Sequence, residues 1–375
     1  MKIKIIVRNA KVCVIILLFV SFRFATAESV ADNTATKFRP VSPNDITDIL
    51  TRISDKTRSN YERIKTWQGE ADATVEIIYR GPAAERVFRE NTSGKGKIPK
   101  GVRQRTVGNI RFAADFEKGL VYQNLHRPNP LQYTELETER DLGAKSLFPL
   151  HTVSVITPEH FTKSGANVYE GISVKSRSAV REAPEKCSCA MSGVFDPRKC
   201  FGLGGPLWQI LSLVIQNIDE DGKLSEGAYD LELEERVREG STEYRIGLLY
   251  KSPEETYAIL TTMVFSGEKG FNIISYQVAD QQGKLLEKES WDYGLLDGIY
   301  LPTKTGKQNF ERQTGQLSYQ EEFIFKNSQI NHVITPETFT YKNLGLKNGD
   351  KFINKILDME YTYQDGELIL TSNNK

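Results

Sequence analysis

TYAILTTMVFSGEKGFNIISYQVADQQGKLLEKESWDYGLLDGIYLPTKTGKQ, residues 256–308, decides the fold class. Its runs Thr256–Phe265, Asn272–Asp280, Lys288–Leu295 and Ile299–Gln308 alternate or are rich in β-branched and aromatic residues, as half-buried strands do. The separators Ser266-Gly267-Glu268-Lys269-Gly270, Gln281-Gln282-Gly283 and Asp297-Gly298 are turn sequences, and Asp-Gly between alternating runs is a strong hairpin signal. Parallel neighbours need a crossover of about a dozen residues, so connections this short dictate an antiparallel meander.

The pattern extends both ways. Tyr244–Tyr250 precedes the stretch, and Ser318–Ser328 follows it beyond the Thr314-Gly315 turn. Further upstream, Ala71, Ala73, Val75, Ile77 and Tyr79 alternate with Asp72, Thr74 and Glu76 in another strand, ended by Gly81-Pro82. Val102–Asn124 reads as two strands broken at Glu117-Lys118-Gly119. Before them, Ile46, Ile49, Leu50, Ile53, Ile64 and Trp67 follow helical spacing. That predicts a helix from Pro43 to about Thr66, with Ser42 as cap and Gln68-Gly69 as stop. A second helix, Pro206–Gln216, is apolar around most of its surface and is expected to be buried on both sides.

Residues 125–205, punctuated by prolines, predict short helices, long loops and one strand near Asn167–Ser176. Thr335–Ile353 ends the sheet with a loop and an extended segment. A sheet of about ten strands curls rather than staying flat. The expected fold is α+β, mainly antiparallel β: a curved, half-open barrel sheet with an N-terminal helix and a mid-chain apolar helix on its concave side. The expected organisation is a single domain over residues 42–355 with an insertion at 125–205, then a strand or tail over 356–375.

Residues 1–27 have the form of a secretory signal peptide: Lys2, Lys4, Arg8 and Lys11, the apolar run Val12–Val20, and a small-x-small site at Ala25-Thr26-Ala27. The run is too short to span a bilayer. The mature chain is expected to start at Glu28, with a polar lead-in over 28–41, and to work in the periplasm or otherwise outside the cytoplasm. Removing the five basic residues of the leader leaves 44 bases against 49 acids, a net charge of about −5. That balance argues against a nucleic-acid binder.

The order of elements resembles the periplasmic lipoprotein-carrier superfamily, which includes the outer-membrane lipoprotein-sorting proteins. The segments that carry the likeness are Asn60–Glu70, a helix end entering the first strand, and Asp297–Pro302, a hairpin entering a late strand. Pro336-Glu337-Thr338-Phe339 with Gly345 and Gly349-Asp350 is similar to the closing segment of long, divergent members. The resemblance implies a half-open antiparallel barrel with helices in its mouth. It also implies a non-enzymatic carrier whose partner is a lipid or acylated lipoprotein.

On that reading, Val75, Ile77, Tyr79, Ile259, Met263, Phe323 and Phe325 face inward from the sheet. Trp208, Leu211 and Ile215 of the second helix press on them to form an acyl-chain site. The alternation is equally that of an ordinary packed core, which would make the chain an envelope structural module that binds other proteins. An envelope hydrolase or thiol enzyme is the remaining reading, with no legible nucleophile and base. Cys187, Cys189 and Cys200 follow the leader; in an oxidising compartment one pair, Cys200 with Cys187 or Cys189, is expected to form a disulfide. Free thiols and a metal or catalytic role are the alternatives. Asn217–Gly222 has the acidic look of a calcium loop, but Ala228 stands where the bidentate Glu belongs. No cofactor or metal is expected.

Overall fold

The computed structural model describes residues 37–91, 96–127, 131–145, 150–156, 160–166, 168–169, 172–173, 177–182, 197–201, 207–219, 224, 229–238, 240–250, 259–354 and 359–373. The expected leader, most of the lead-in, Cys187 and Cys189 lie outside them. The fold class is α+β, mainly antiparallel β, with a sheet that does not close.

In chain order the principal elements begin with α1 (Ile46–Glu62), β1 (Thr66–Arg80), α2 (Gly81–Asn91), β2 (Gly101–Asp115) and β3 (Leu120–Arg127). The segment expected to be irregular then supplies β4 (Leu131–Glu135), β5 (Asp141–Lys145), β6 (Leu150–Ile156), β7 (His160–Ala166) and β8 (Arg177–Glu182). Next come α3 (Leu207–Gln216), β9 (Tyr229–Arg238), β10 (Ser241–Tyr250), β11 (Ile259–Ser266), β12 (Asn272–Asp280) and β13 (Leu285–Leu296). The chain continues through β14 (Ile299–Phe310), β15 (Leu317–Ile330), β16 (Lys351–Asn354), β17 (Met359–Gln364) and β18 (Glu367–Asn373).

The chain divides into two compact units. The first takes in residues 1–61, 201–301 and 307–317; the second takes in 62–200, 302–306 and 318–375. In the first, β9 to β13 form the expected antiparallel meander, each strand paired with the next. Asp297 and Gly298 both have positive φ, 50° and 73°, as the two-residue turn between β13 and β14 requires. α1 buries Ile46, Ile49, Leu50 and Ile53 against Ile246, Met263, Phe265, Ile273 and Trp291 of the meander. Each such aliphatic side chain, fully buried, contributes about 1.5–3 kcal/mol.

In the second unit β1 pairs antiparallel with both β2 and β15. β2 pairs with β3 and β4, and β3 with β6. β8 runs antiparallel to β7 and parallel to β16. One core there joins Trp67, Phe112 and Phe325, with ring centroids 4.9–6.0 Å apart. A second gathers Ala113, Val153 and Val155 under Phe339, Leu344 and Phe352.

Several expectations are corrected. α1 stops at Glu62, and Gln68-Gly69 lies within β1 instead of ending a helix. Trp67 is completely buried in the strand's aromatic core, which outweighs its helical spacing from Ile53. Gly69 is there for close approach: an added Cβ would stand 3.0 Å from the Lys326 carbonyl oxygen. Ser42 makes no side-chain cap; its carbonyl accepts from Asp45 N–H at 2.9 Å, closing a 3₁₀ turn over Pro43–Asp45. α2 was not foreseen, because Ala84, Val87 and Phe88 make only a short apolar stripe. The strands β4 to β8 replace the expected loops: β4 with β5 and β6 with β7 form short local hairpins, and strands more distant in the chain complete β4, β6 and β8. α3 buries one stripe, Leu207, Leu211 and Val214, while Leu213 on its other side is 38% exposed. On β9 Leu233 is buried, while Glu234 and Arg236 form cross-strand ion pairs with Arg245 and Glu243 of β10.

Candidate functional site

The inner face of the first unit is a cross-strand row. Leu233 stands opposite Ile246, Ile246 opposite Met263, Met263 opposite Tyr276, and Tyr276 opposite Glu289. Directly opposed residues share a face of the sheet. At about 4.8 Å per strand the row runs roughly 19 Å, from apolar at β9 to charged at β13.

α1 and α3 lie on the apolar end. α1 is fixed by buried polar side chains that reach backbone groups far along the chain. Asn60 Nδ2 donates to Tyr300 O at 2.9 Å, and Tyr300 N–H donates back to Asn60 Oδ1 at 2.8 Å. Thr57 Oγ1 donates to Phe271 O at 2.8 Å. α1 in turn seats α3: the Tyr61 ring stands 4.8 Å from Trp208 and 5.3 Å, edge-on, from Phe201. The Ser54 hydroxyl reaches Trp208 O only at 3.4 Å, so the seat is mainly aromatic and apolar.

The edge of β9 is clipped by the segment before α1. Arg39 and Pro40 pair with Glu235 and Glu234, and Val41 N–H donates to Leu233 O at 2.9 Å. Pro40, which has no N–H, suits such an edge. Phe38 lies between the guanidinium groups of Arg236 and Arg245, 4.4 and 4.5 Å from its ring centroid, while Val41 joins the core. Beside this clip is an open recess of about 640 Å³ bounded by Asp45, Asp48, Arg52, Glu235 and Tyr244. Three carboxylates against one guanidinium make it acidic. Arg52 is already engaged, donating to Tyr244 Oη at 2.6 Å and lying 5.5 Å from the Tyr244 and Phe271 rings.

The charged end of the row has its own geometry. Lys307 Nζ donates to Glu287 and, at 2.7 Å, to Glu289. Burial pushes the Glu289 carboxyl above its ordinary value; Lys307 pulls it down, and Glu287, close enough to share a hydrogen bond, pushes it up again. Burial alone would lower Lys307, but Glu289 and Glu287 together raise it. Burial, then the charges of Glu287 and Glu289, hold the Tyr276 phenol protonated far above its usual range.

The acyl-site residues expected from sequence divide between the units. Leu211, Ile215 and Met263 meet in the first unit's core layer. Ile259 is buried on β11, and Trp208 is half-buried against Tyr61. Val75, Ile77, Tyr79, Phe323 and Phe325 belong to the second unit. There Tyr79 packs against the α2 cluster of Ala84, Val87 and Phe88, and Phe325 against Trp67. Cys200 is buried. The sequence reading missed Tyr276, Glu287, Glu289 and Lys307. One signal was there: Glu287 and Glu289 share the alternation of Trp291 and Tyr293, so they sit on the apolar parity of β13.

Among the described residues no cluster of His, Cys, Asp and Glu could hold a metal ion, and no helix is long and apolar enough to cross a membrane. No family model and no curated protein matches the chain.

Its likeness is to solved structures. A DUF1329 family protein from Desulfovibrio piger is 13% identical, with a TM-score of 0.36 over 81% of this chain and 100% of that one. A LolA superfamily protein from Nitrosomonas europaea is 9% identical, with a TM-score of 0.32 over 79% of this chain and 99% of that one. A putative outer membrane lipoprotein-sorting protein domain from Vibrio parahaemolyticus is 10% identical, with a TM-score of 0.36 over the same shares, 79% and 99%.

Proposed function

We propose that the chain is an exported, non-enzymatic carrier or binder of a lipid or lipidated protein, and that its ligand lies under α3 on the inner face of the first unit. The observation that carries this is the apolar excess of α3. The helix has no charged residue, yet only Leu207, Leu211 and Val214 are buried, while Trp208, Ile210 and Ile215 are half-buried and Leu213 is exposed. An acyl chain entering beneath it would replace helix-to-sheet contacts with contacts of the same kind, at about 0.8 kcal/mol per buried methylene. The weak polar attachment of α3 keeps that exchange inexpensive. The name of one structural neighbour, lipoprotein-sorting, agrees with this occupant, but the support is the apolar surface itself.

A second reading has its own observation. Leu211 and Met263 are 0% and 1% exposed, so the layer beneath α3 is filled, as it would be in an envelope protein-interaction module. Native mass spectrometry of protein exported and purified without detergent, followed by solvent extraction, separates the two. A reproducible adduct that extracts as lipid, and that Trp208→Asp abolishes in folded protein, is expected. A mass without adduct that stays so after incubation with envelope lipids and lipopeptides would favour the interaction module.

A further inference from the structure

The second unit carries a cation without a counter-charge. Arg127 ends β3 two residues beyond Leu125, so its side chain falls on the face that Leu125 shares with Ile110, both 3% exposed. Its stem crosses Gly108 of β2, where an added Cβ would stand 3.1 Å from Arg127 Cγ. Gly108 opposes Ala73 of β1, and Ala73 opposes Phe323 of β15, so the stem leans inward across the sheet over two small residues. Arg127 is half-buried and makes no hydrogen bond or ion pair among the described residues. Burial pulls the guanidinium below its ordinary value, and the opposing influence is Tyr319. Tyr319 supplies no counter-ion. Its hydroxyl donates to Glu321 Oε2 at 2.8 Å, and burial, then Glu321, hold the phenol protonated far above its usual range.

A guanidinium withdrawn from water without a counter-charge is costly. An anion with two oxygens would offset that cost through paired, charge-assisted hydrogen bonds. Glu321 shares the face, opposite Val75, but is only 7% exposed, so an entering head meets Arg127 first. Apolar surface adjoins the cation. Phe323 ends the row through Gly108 and Ala73, and Val75 and Ile77 continue the same face along β1; all three are half-buried. They are acyl contacts expected from sequence that the layer under α3 does not use.

We propose that Arg127 binds the carboxylate or phosphate head of a single-chain amphiphile whose hydrocarbon lies on Phe323, Val75 and Ile77. The site belongs to the second unit and does not rest on the reading of α3. Isothermal titration calorimetry of the full mature chain at pH 7 compares dodecanoate, dodecylamine and inorganic phosphate, each amphiphile below its critical micelle concentration. Dodecanoate is expected to bind at least tenfold more tightly than dodecylamine or phosphate. Arg127→Met, which keeps most of the stem, should weaken dodecanoate at least tenfold and change dodecylamine less than twofold. Arg127→Lys keeps the charge without the planar fork and should lose less. Ile77→Asp sets a carboxylate on the hydrocarbon's path and should also weaken dodecanoate, an independent check where Arg127→Met fails to fold. Trp208→Asp, in the first unit, should leave the preference intact. Equal affinity for the two amphiphiles, or dodecanoate binding unchanged in Arg127→Met, overturns the head assignment. Phosphate binding as tightly as dodecanoate overturns the hydrocarbon part. Loss of the preference in folded Trp208→Asp overturns the placement in the second unit and leaves the α3 reading standing.

Discussion

Asn60→Ala tests how the inner face is held together. Asn60 is 7% exposed and closes two hydrogen bonds with the backbone of Tyr300, 240 residues away in sequence. Each such bond is worth about 0.5–1.5 kcal/mol net, and a backbone donor or acceptor left dry costs about 1–3 kcal/mol. Tyr300 is half-buried, so water recovers part of that loss. The expected destabilisation of the first unit is about 2–3 kcal/mol. Of the three tryptophans, Trp208 and Trp291 belong to the first unit and Trp67 to the second. Urea unfolding followed by fluorescence in a Trp67→Phe background therefore reports the unit in question. Asn60→Asp sharpens the test. It keeps the acceptor for Tyr300 N–H but sets a carboxylate oxygen against Tyr300 O, so at pH 7 it should cost at least as much as alanine. Charge repulsion from Tyr300 O raises the native pKa of the new carboxyl, and its protonation restores a donor, so part of the loss should return as pH falls toward about 4, a recovery complete below it. A loss under about 0.5 kcal/mol for Asn60→Ala would refute the claim that this pair fixes α1 to the sheet.

Three further outcomes are expected. Glu289 has a raised native pKa, so the native state binds the extra proton and stability falls as pH rises from the ordinary carboxyl range through the native value; Lys307 and Tyr276, both raised, stay protonated throughout. Glu289→Gln should therefore gain on the natural protein in urea midpoint between pH 4 and pH 8, and a difference that is flat or of opposite sign would contradict the assignment. Gly69→Ala forces a Cβ to 3.0 Å from Lys326 O and 3.3 Å from Ser328 Cα, both backbone atoms; a loss of about 1–3 kcal/mol in the second unit, read from Trp67 fluorescence, is expected, and no loss would deny the close approach. Phe38→Ala removes the ring held between Arg236 and Arg245, worth about 0.5–1 kcal/mol for each cation at an exposed site. Hydrogen exchange at the Val41 amide should then quicken severalfold, and unchanged protection would mean that Phe38 does not hold the clip.

By itself the sequence determined the antiparallel class and the strands between Tyr244 and Ser328. There the alternation, the Asp297-Gly298 turn and the short connections are local signals, and local geometry obeys them. It also determined both helices that lie on the first unit's sheet, to within a few residues at each end. The candidate site was legible only in part: Leu211, Ile215 and Met263 were found because apolar periodicity marks a buried face. Tertiary structure decided the rest. Whether Trp67 extends a helix or enters a strand depends on Phe112 and Phe325, which no local rule consults. The strands of 131–182 include two local hairpins, but the place of each hairpin in the sheet depends on partners distant in sequence. Lys307 joins Glu287 and Glu289 across a turn whose register sets which charges meet. Periodicity fixes which way a side chain faces on its own element; only the assembled sheet fixes what it faces.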